Sequence, residues 1–356
     1  MNKTKVCIIT NSKNYKGGIT AVVSGYHGSK LEDDFSIHYV ESCSDSHLKI
    51  TKAGKMLLGY IQFFFELVFF RPQIVHINSS FGFSFYRKIY YIYLGKLFKA
   101  KIVNHIHGAE FDTFFINAPD KKKRLIKKIY NKCDCVIALS DEWKGKLGRI
   151  VPTEIIKVVE NYSIVHRETA KTDWNDNILF LGEVGKRKGC CDIPEVARLV
   201  RNKIPNCKFI IAGNIIQDDY TDIQNKMSRY GLTDCISFPG WVRGIEKEKL
   251  LSSADLFFLP SYNEGMPMSI LDAMGYALPI VSTTVGGIPK IVKNQINGYT
   301  CEPGNVSEFA TKIIEILQDK SKCENYGNMS LKIIKESYSL EAHIKKIESI
   351  YNSLIS

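Results

Sequence analysis

Two carboxylates, Glu264 and Asp272, stand eight residues apart around the expected start of a helix. Pro267 suits the first helical position, because its ring fixes a helical φ and no N–H is needed there. The amides of Met268 and Ser269 then point out of the helix start, where an anion is favoured. At about 3.6 residues per turn, Asp272 would lie about 80° around the axis from Glu264. The spacing predicts an anion site with acids on either side for hydroxyl groups, as a sugar joined to a nucleoside diphosphate requires.

Glycines follow two of the apolar runs, and their backbone amides, which no side chain covers, suit a phosphate. Gly286 and Gly287 lie between the run 279–282 and a helical pattern, so their amides are open to an anion. Gly213 follows the run 208–212 and fits a turn that lets a nucleotide approach closely. Together with the carboxylates, in this order, the glycines favour a phosphate-containing ligand.

A basic turn formed by Lys186, Arg187 and Lys188 follows the strand-like run 177–182. Cations are needed where a diphosphate leaves, because the diphosphate gains negative charge as a glycosidic bond breaks. A solvated surface turn is the alternative for Lys186 and Arg187, since runs of charge are mostly exposed. We therefore rank Lys188 above Arg187 as a candidate for this chemistry.

The N-terminal half places two histidines at the end of an apolar run. His105 and His107 are two residues apart, so both point to the same face of a strand. Ligands of parallel α/β sheets bind at the carboxyl ends of strands, which makes His107 a candidate, although strand-end histidines are more often structural. Lys16, Gly17 and Gly18 follow the first apolar run, and a tight turn is the simpler alternative for these glycines.

Apolar runs alternate with helical patterns, which predicts parallel sheets covered on both faces by helices. The pattern restarts after a polar stretch around residues 163–176. We therefore predict an α/β protein with two doubly wound, Rossmann-like domains, at residues 1–165 and 170–338. The amphipathic segment 340–356 is expected to form a helix that crosses back onto the first domain. The predicted strands are 6–10, 74–77, 101–106, 135–138, 177–182, 208–213, 256–259 and 279–282.

The distribution of charge indicates an acidic partner. The 356 residues suffice for two domains, and 45% hydrophobic with 24% charged residues is ordinary for a globular protein. Residues 1–165 hold 25 basic and 14 acidic residues, whereas residues 166–356 hold 23 of each, so the whole net charge of +11 lies in the first half. Anionic lipid, nucleic acid or a phosphorylated acceptor would match that charge.

The cysteines and the N-terminus favour a cytoplasmic protein. Ten cysteines show no framework spacing, and the first five residues lead into an apolar run without a signal peptide. We therefore expect reduced thiols. A zinc site is the alternative for the cysteines. No paired Cys-x-x-Cys or Cys/His cluster supports it in the sequence, and we expect no metal site.

The most apolar run, 57–70, is interrupted by Gln62 and Glu66 and is shorter than the about 20 residues of a bilayer span. We therefore expect no transmembrane segment. A deeply packed helix is expected for its phenylalanines, which are Phe63, Phe64, Phe65, Phe69 and Phe70.

Positive charge is densest in residues 121–132, where seven of twelve side chains are cationic. One helix would turn Leu125, Ile126, Ile129 and Tyr130 toward the sheet. Its cations would then face anionic headgroups, at about 1 kcal/mol each. A solvated helix face is the alternative. The candidate membrane-surface residues are Lys121, Lys122, Lys123, Arg124, Lys127 and Lys128.

With these motifs the chain resembles the retaining, nucleotide-sugar-dependent glycosyltransferases of glycosyltransferase family 4, most densely over residues 178–305. The resemblance implies the GT-B fold, in which two Rossmann-like domains face each other across a cleft. In the family, the strongest motif usually consists of two glutamates separated by seven residues. In this chain the pair is Glu264 and Asp272. The resemblance implies that Glu264 contacts hydroxyls of the donor sugar and Asp272 the ribose hydroxyls.

The resemblance also assigns roles to the cations and to His107. Lys188 matches the second of two family cations on the donor diphosphate. Glu183 stands where the family has an arginine, and Arg187 is a candidate to supply the missing guanidinium. His107 matches a histidine that faces the donor sugar, so Glu264, His107 and Lys188 are the predicted catalytic residues. The other predicted donor-binding positions are Arg187, Gly17, Gly18, Gly213, Val242, Met268, Ser269, Asp272, Gly286 and Gly287, with Trp241 beside them under the base.

The motifs and the resemblance together predict a hexosyltransferase-type glycosyltransferase that moves a sugar from a UDP- or GDP-linked donor to a hydroxyl of a lipid-linked saccharide. The resemblance implies that the anomeric configuration is retained and that no divalent metal is required. Synthesis of surface or capsular polysaccharide is the expected setting. No cofactor or metal is expected, and no Asp-x-Asp triplet occurs. The expected partners are the nucleotide sugar, the acceptor and an anionic membrane surface, at the inner face of the plasma membrane, without nucleic acid. A sugar-nucleotide epimerase of similar fold and a non-catalytic nucleic-acid-binding protein are the alternatives.

Overall fold

The computed structural model describes residues 3–15, 17–43, 49–108, 111–169, 171 and 173–356. The chain divides into two compact units: unit 1 is Met1–Asn161 with Leu340–Ser356, and unit 2 is Tyr162–Ser339. Each unit contains a six-stranded sheet whose strand pairs are all parallel. The prediction of two α/β sheets of the doubly wound type is confirmed.

Strands and helices alternate along unit 1. Its strands are β1 (Lys5–Thr10), β2 (Ser36–Glu41), β3 (Ile74–Ser79), β4 (Lys101–Ile106), β5 (Cys135–Ala138) and β6 (Ile156–Val158). Its first seven helices are α1 (Gly18–Ser24), α2 (Lys30–Asp34), α3 (Lys49–Phe65), α4 (Phe83–Leu97), α5 (Phe111–Ile116), α6 (Asp120–Tyr130) and α7 (Asp141–Leu147). A π-helical turn, Glu66–Phe70, continues α3. The strand order is β2-β1-β3-β4-β5-β6.

Unit 2 repeats the alternation. Its strands are β7 (Asn177–Leu181), β8 (Lys208–Ala212), β9 (Ile236–Gly240), β10 (Leu256–Leu259), β11 (Ile280–Thr283) and β12 (Gly298–Cys301). Its helices are α8 (Ile193–Arg201), α9 (Gln217–Tyr230), α10 (Ile245–Ser253), α11 (Met268–Gly275), α12 (Ile288–Ile291), α13 (Val306–Leu317) and α14 (Lys320–Ser337). The last helix of the chain, α15 (Leu340–Ile355), belongs to unit 1.

The sheet order of unit 2 creates a reversal point beside β7. In the order β12-β11-β10-β7-β8-β9, the chain runs outward from β7 to β9 and then returns to β10 on the other side of β7. The connections after β7 and β10 therefore leave the sheet in opposite directions, and a crevice opens at their carboxyl ends. Ligands of open α/β sheets bind at such points.

The two faces of the unit 1 sheet have different coverings. Phe63 of α3, Tyr91 of α4, Ile129 of α6 and Trp143 of α7 belong to one hydrophobic core. On the other face, Tyr351 of α15 contacts β3, with its hydroxyl 2.6 Å from Nδ1 of His76. The last helix thus covers the face opposite to α3, α4, α6 and α7.

The packing of α3 corrects two expectations. Phe63 is fully buried, but Phe64, Phe65 and Phe69 are 43%, 52% and 75% exposed, so the predicted deep packing is wrong for these three. The helical stretch Ile50–Phe70 is also 21 residues long, because it begins before the run that the sequence marks. By length and composition alone it suffices to cross a membrane, and the expectation that it is too short is wrong. In the structure its inner face packs on the sheet of unit 1.

All ten cysteines are buried free thiols. Burial raises the pKa of Cys190 and of Cys301 to about 12, so both thiols are protonated near neutral pH. These thiols act as small apolar side chains of the core.

Candidate functional site

The loops that follow β7 and β10 are pressed together at the reversal point of unit 2. Lys188 ends a 3-10 turn, and Gly189 follows it with φ of +73°. A Cβ on Gly189 would lie 2.0 Å from the carbonyl oxygen of Pro260, which directly follows β10. Glycine is therefore required here for both its backbone angle and its size. This contact fixes the position from which the Lys188 side chain extends.

Lys188 and Glu264 form an ion pair, Nζ to Oε1, between these two loops. The Lys188 side chain is 14% exposed and that of Glu264 is 7% exposed. Each of the two charges needs the other, because a single unpaired charge in a place so sheltered from water would be costly. The structure thus brings together an ammonium suited to a phosphate and a carboxylate suited to sugar hydroxyls.

Arg187 and Glu183 also form an ion pair, Nη2 to Oε1 at 3.4 Å. The main-chain carbonyl of Arg187 accepts hydrogen bonds from the amide of Tyr262 at 2.9 Å and the hydroxyl of Ser261 at 3.2 Å. The backbone of Arg187 therefore joins the basic turn to the loop after β10. Glu183, which stands where the resemblance expects an arginine, is therefore paired with the guanidinium of Arg187.

The loop that carries Glu264 leads into α11, and its geometry corrects the helical-spacing argument. Pro267 caps the helix with an extended ψ of 117°, and the helix begins at Met268. Glu264 precedes the helix, so the angle expected between Glu264 and Asp272 on a common helix does not apply. Within residues 173–356, no acceptor contacts the amides of Met268 or Ser269. Their N–H groups are available to an anion.

The glycine pair after β11 folds back onto the Glu264 loop. Gly286 has φ of +58°, and a Cβ there would lie 1.9 Å from the carbonyl oxygen of Glu264. The amide of Gly287 donates to the carbonyl of Gly265 at 2.7 Å. The expectation that both glycine amides face a phosphate is therefore wrong for Gly287, whose N–H holds the loop. The amide of Gly286 has no acceptor among the described residues of unit 2.

Asp272 lies on α11 and pairs with Lys247 of α10, Nζ to Oδ2 at 2.5 Å. The Ser163 hydroxyl lies 3.5 Å from the other carboxylate oxygen. Sequence reasoning missed Lys247, because a lysine among the alternating charges of α10 has the pattern of a solvated helix. The pairing orients the carboxylate that was predicted to bind ribose.

The predicted base-binding segment precedes α10. Trp241 is half-buried, with the Arg243 guanidinium 5.7 Å from its ring centroid, and Val242 lies between them in sequence. Gly213 directly follows β8, and a Cβ there would lie 1.5 Å from the carbonyl oxygen of Gly182. The sequence predicted that a nucleotide approaches Gly213 closely. In the structure, the group that lies against Gly213 is the carbonyl of Gly182 in the loop after β7.

In unit 1, His107 stands at the carboxyl end of β4. Its Nε2 lies 2.9 Å from Oδ1 of Asn78, and its ring stacks on His105 with the centroids 4.0 Å apart. Burial lowers the pKa of His107 to about 3, so the ring is neutral near pH 7. Gly17 precedes α1 and Gly18 begins it, whereas Lys16 lies outside the described residues.

Lys88, which the sequence did not single out, is a buried lysine in unit 1. It is 2% exposed, and its Nζ donates to the Ser42 hydroxyl at 2.6 Å. Burial lowers its pKa well below the ordinary value, and the nearby Arg87 adds to this effect. Adjacent basic residues on a helix suggest exposed positions, so the pattern gave no signal for this burial.

Helix α6 carries the predicted membrane-surface cations. Ile126, Ile129 and Tyr130 are buried as expected, but Leu125 is 36% exposed and does not face the sheet. Lys122 lies over the ring of Phe114 at 3.8 Å, and other cations such as Lys121 are exposed. No ion pair joins residues 121–128 to an acid of the described chain. The membrane role of this face stays a prediction.

The helix α15 closes over a group of buried histidines in unit 1. His343 lies 2.9 Å from the Tyr26 hydroxyl through Nε2 and 2.7 Å from the Glu160 carbonyl oxygen through Nδ1. Its ring stacks near that of His105, which is fully buried. Burial lowers the pKa of His76 to about 3 and that of His343 to about 4. These rings are neutral in the folded protein.

We expect the stability of unit 1 to fall as the pH is lowered from 7 to 5. The unfolded histidines bind protons near pH 6.5, whereas the folded ones do not bind until about pH 3 to 4, so protons favour the unfolded chain. Proton binding to the unfolded chain at His76 and at His343 would each lower the free energy of unfolding by about 2 kcal/mol over this interval. Urea unfolding at pH 7 and pH 5 measures the loss. His343→Gln should reduce it and His27→Gln, at an exposed position, should not; equal losses in both variants would contradict the explanation.

Comparison with known proteins relates this geometry to a family. Residues 164–332 match the family model described as glycosyl transferases group 1. An uncharacterized glycosyltransferase of Methanocaldococcus jannaschii is 28% identical over an alignment of 238 residues that covers 62% of this chain. The matched part spans 60% of the length of that relative. The UDP-Gal:alpha-D-GlcNAc-diphosphoundecaprenol alpha-1,3-galactosyltransferase of Escherichia coli is 26% identical over 281 residues, covering 71% of this chain and 69% of that protein.

A solved structure extends the similarity to the whole chain. HepE of Anabaena, in a crystal structure in complex with UDP-glucose, superposes with a TM-score of 0.78 at 16% identity. The match covers 98% of this chain and 99% of HepE. The two parallel six-stranded sheets with their helices are therefore of the GT-B type.

Proposed function

We propose that this chain, whose residues 164–332 match the glycosyl transferases group 1 model, transfers a sugar from a nucleotide-sugar donor held by unit 2. The observation that carries the proposal is the sheltered Lys188–Glu264 pair at the carboxyl ends of β7 and β10. Open amides of Met268, Ser269 and Gly286 belong to the same set of loops. A cation, amide donors and a carboxylate are the groups that a diphosphate and a sugar need.

In the proposed reaction, Lys188 and the amides of Met268, Ser269 and Gly286 stabilise the charge that develops on the departing diphosphate. Glu264 holds hydroxyls of the donor sugar, and the carboxylate of Asp272 holds the ribose. The acceptor oxygen forms its bond to C1 of the sugar as the bond from C1 to the diphosphate breaks, and the hydroxyl proton passes to the departing diphosphate oxygen. Attack from the face that the diphosphate leaves retains the anomeric configuration. Catalysis then consists mainly of positioning and electrostatic stabilisation, without a metal ion. His107 remains a predicted contact of the donor sugar.

The proposed acceptor is a hydroxyl of a lipid-linked saccharide. The Escherichia coli relative is named for a diphosphoundecaprenol-linked acceptor. Unit 1 carries the chain's excess positive charge, including the unpaired cations of α6. An acceptor embedded in a membrane would be met by a protein on the inner surface of the plasma membrane, in surface-polysaccharide synthesis. This setting accounts for the charge, as anionic lipid attracts such a surface.

A thermal-shift panel of UDP- and GDP-sugars tests the donor, because a ligand that binds the folded state alone raises the melting temperature. We expect one nucleotide class to raise it, and 2′-deoxy-UDP to be less effective than UDP if the base is uracil. Asp272→Asn should reduce that difference, since a hydrogen bond to a charged group is worth about 1.5–3 kcal/mol. Asp222→Asn, an exposed carboxylate on α9, is the matched control.

Turnover then separates the candidate reactions. Incubation of the effective nucleotide sugar with lipid-linked acceptors should release the nucleotide and lengthen the acceptor. An isomerised nucleotide sugar without release would favour an epimerase instead. Binding to DNA with no thermal response to any nucleotide sugar would favour the nucleic-acid-binding alternative and contradict the proposal.

A further inference from the structure

The outer side of α3 presents a continuous apolar surface. Its members lie on one side of the helix at spacings of three and four residues, opposite to the buried side that includes Gly59, Phe63 and Leu67. Leu58 is 63% exposed and Ile61 is 46% exposed. We call this surface the apolar face; it consists of Leu57, Leu58, Ile61, Phe64, Phe65 and Phe69.

At its aromatic end, the apolar face continues onto Leu97, the last residue of α4, and Phe98, which follows it. The ring of Phe64 packs edge-to-face on Phe98, with the centroids 6.2 Å apart, and Phe65 stacks with Phe69 at 5.9 Å. Phe98 and the adjacent Leu97 are themselves 40% and 74% exposed. Adjoining exposed apolar side chains of this kind mark an interaction surface, whereas scattered single ones do not.

A set of unpaired cations borders this aromatic end. Lys5 lies over the ring of Phe70 at 5.4 Å, Arg71 follows Phe70 in the chain, and Lys99 follows Phe98. The amide of Lys101 donates to the carbonyl of Gln73, which places it beside the same segment. All four cations are exposed, and none forms an ion pair within the described residues. We call Lys5, Arg71, Lys99 and Lys101 the cationic border.

The charges identify the occupant of the apolar face. Glu66 is the one acidic residue among residues 49–70, and its carboxylate is engaged with His38 at 2.8 Å. A second copy of this chain docked face to face would bring two cationic borders together, and like charges would oppose it. Apolar side chains beside unpaired cations suit the boundary between acyl chains and anionic headgroups.

We propose that the apolar face of α3 inserts into the surface of an anionic bilayer, with the cationic border at the level of the lipid phosphates. The inner side of α3 stays packed on the sheet, so the helix lies along the membrane surface and does not cross it. This deepens the membrane location of the proposed function, but it assigns the contact to α3, which the sequence placed in the core. Helix α6 belongs to the same helical layer and adds its cations there.

Co-sedimentation of the full chain with vesicles tests the proposal. The vesicles are phosphatidylcholine alone and phosphatidylcholine with about one third phosphatidylglycerol, an anionic fraction at which polybasic attraction is strong. We expect binding to the anionic vesicles, and a loss of about tenfold or more in Leu58→Gln/Phe65→Gln/Phe69→Gln. The control Ile164→Gln/Ile296→Gln removes exposed apolar side chains of unit 2 and should bind as the parent does. Arg71→Gln/Lys99→Gln/Lys101→Gln should lower the preference for anionic vesicles.

The outcomes separate this proposal from its alternatives. Unchanged vesicle binding in the triple apolar variant overturns it, as does absence of binding by the parent chain. A parent dimer in solution that becomes monomeric in the triple variant also overturns it and assigns the face to a second copy. If Lys121→Gln/Lys122→Gln/Lys123→Gln/Arg124→Gln alone abolishes binding while the apolar variant has no effect, α6 is the contact and the proposal fails.

The same samples report separately on the proposed function. Each variant in unit 1 should keep the parent's melting temperature and its rise with the effective nucleotide, because the changed side chains are exposed or half-buried and lie outside unit 2. Vesicle binding without a nucleotide response would contradict the glycosyltransferase proposal alone. A nucleotide response without vesicle binding would contradict the membrane proposal alone.

Discussion

Glu264→Gln should lower kcat/KM for sugar transfer by about 100-fold or more, while the protein stays folded. Glutamine keeps the size and an acceptor oxygen, but it loses the charge that faces Lys188 and the proposed sugar hydroxyls. Losing one preorganised charged contact in a sheltered site commonly costs about 10²–10³ in rate. Steady-state rates with the donor found in the nucleotide panel give the value.

The conservative substitution matters because the pair is sheltered. Glu264→Ala would leave the Lys188 ammonium with neither the carboxylate nor the acceptor oxygen that glutamine keeps, and breaking a buried pair costs about 3–5 kcal/mol, so lost activity would be mixed with lost stability. Glu324→Gln, at an exposed carboxylate on α14, is the control and should retain full turnover. Normal turnover in Glu264→Gln would remove Glu264 from the proposed mechanism.

Gly286→Ala should abolish the thermal response to the nucleotide donor. The added methyl carbon would lie 1.9 Å from the carbonyl oxygen of Glu264, so the Glu264 loop or the loop after β11 must move. Gly286 also has φ of +58°, which alanine adopts only with strain of about 1–2 kcal/mol. Movement of either loop therefore changes the position of Glu264 relative to the amide of Gly286. Melting curves with and without donor measure the loss.

Gly231→Ala separates backbone strain from displacement of the site. Gly231 has a similar φ of +65°, at the end of α9, and a Cβ there meets no atom within 4 Å. It should lower the melting temperature by a few degrees and keep the donor response. A full donor response in Gly286→Ala would show that the glycine contact with Glu264 does not shape the donor site.

The inner strands of both sheets were predictable from sequence, but the edge strands were not. The eight predicted runs correspond to strands that have neighbours on both sides, because such strands are buried along most of their length and rich in apolar residues. The four missed strands, β2, β6, β9 and β12, are the sheet edges. Ser36–Glu41 has Val40 as its single buried residue, Ile156–Val158 is three residues long, and Ile236–Gly240 contains Pro239. Their signals are diluted by polar side chains and turn residues.

The candidate site was predictable as a set of residues but not as a set of contacts. The types and order of Lys188, Glu264 and the glycines pointed to one phosphate-binding region. That Gly287 donates its amide to Gly265 depends on the positive φ of Gly286, which the sequence permits without requiring. The partnership of Lys247 with Asp272 joins two helices, so no local pattern reports it.

The misplacement of Phe64, Phe65 and Phe69 has a simple physical origin. Between residues 56 and 70, α3 and its π-turn are apolar on nearly all sides, and such a helix is normally buried on all sides. The hydrophobic period identifies a side that packs inward, and Phe63 and Leu67 occupy that side. The hydrophobic period does not show whether another part of the molecule covers the remaining sides of the helix.

The joining of α15 to β3 through Tyr351 and His76 sets an order for folding during synthesis. A ribosome releases the strands of unit 1 first, but the histidine-lined face of that sheet stays uncovered until the last seventeen residues, Leu340–Ser356, have emerged. Unit 2, whose residues are contiguous, can fold in the meantime. The nascent first unit is therefore exposed to chaperones and proteases while Tyr162–Ser339 is translated.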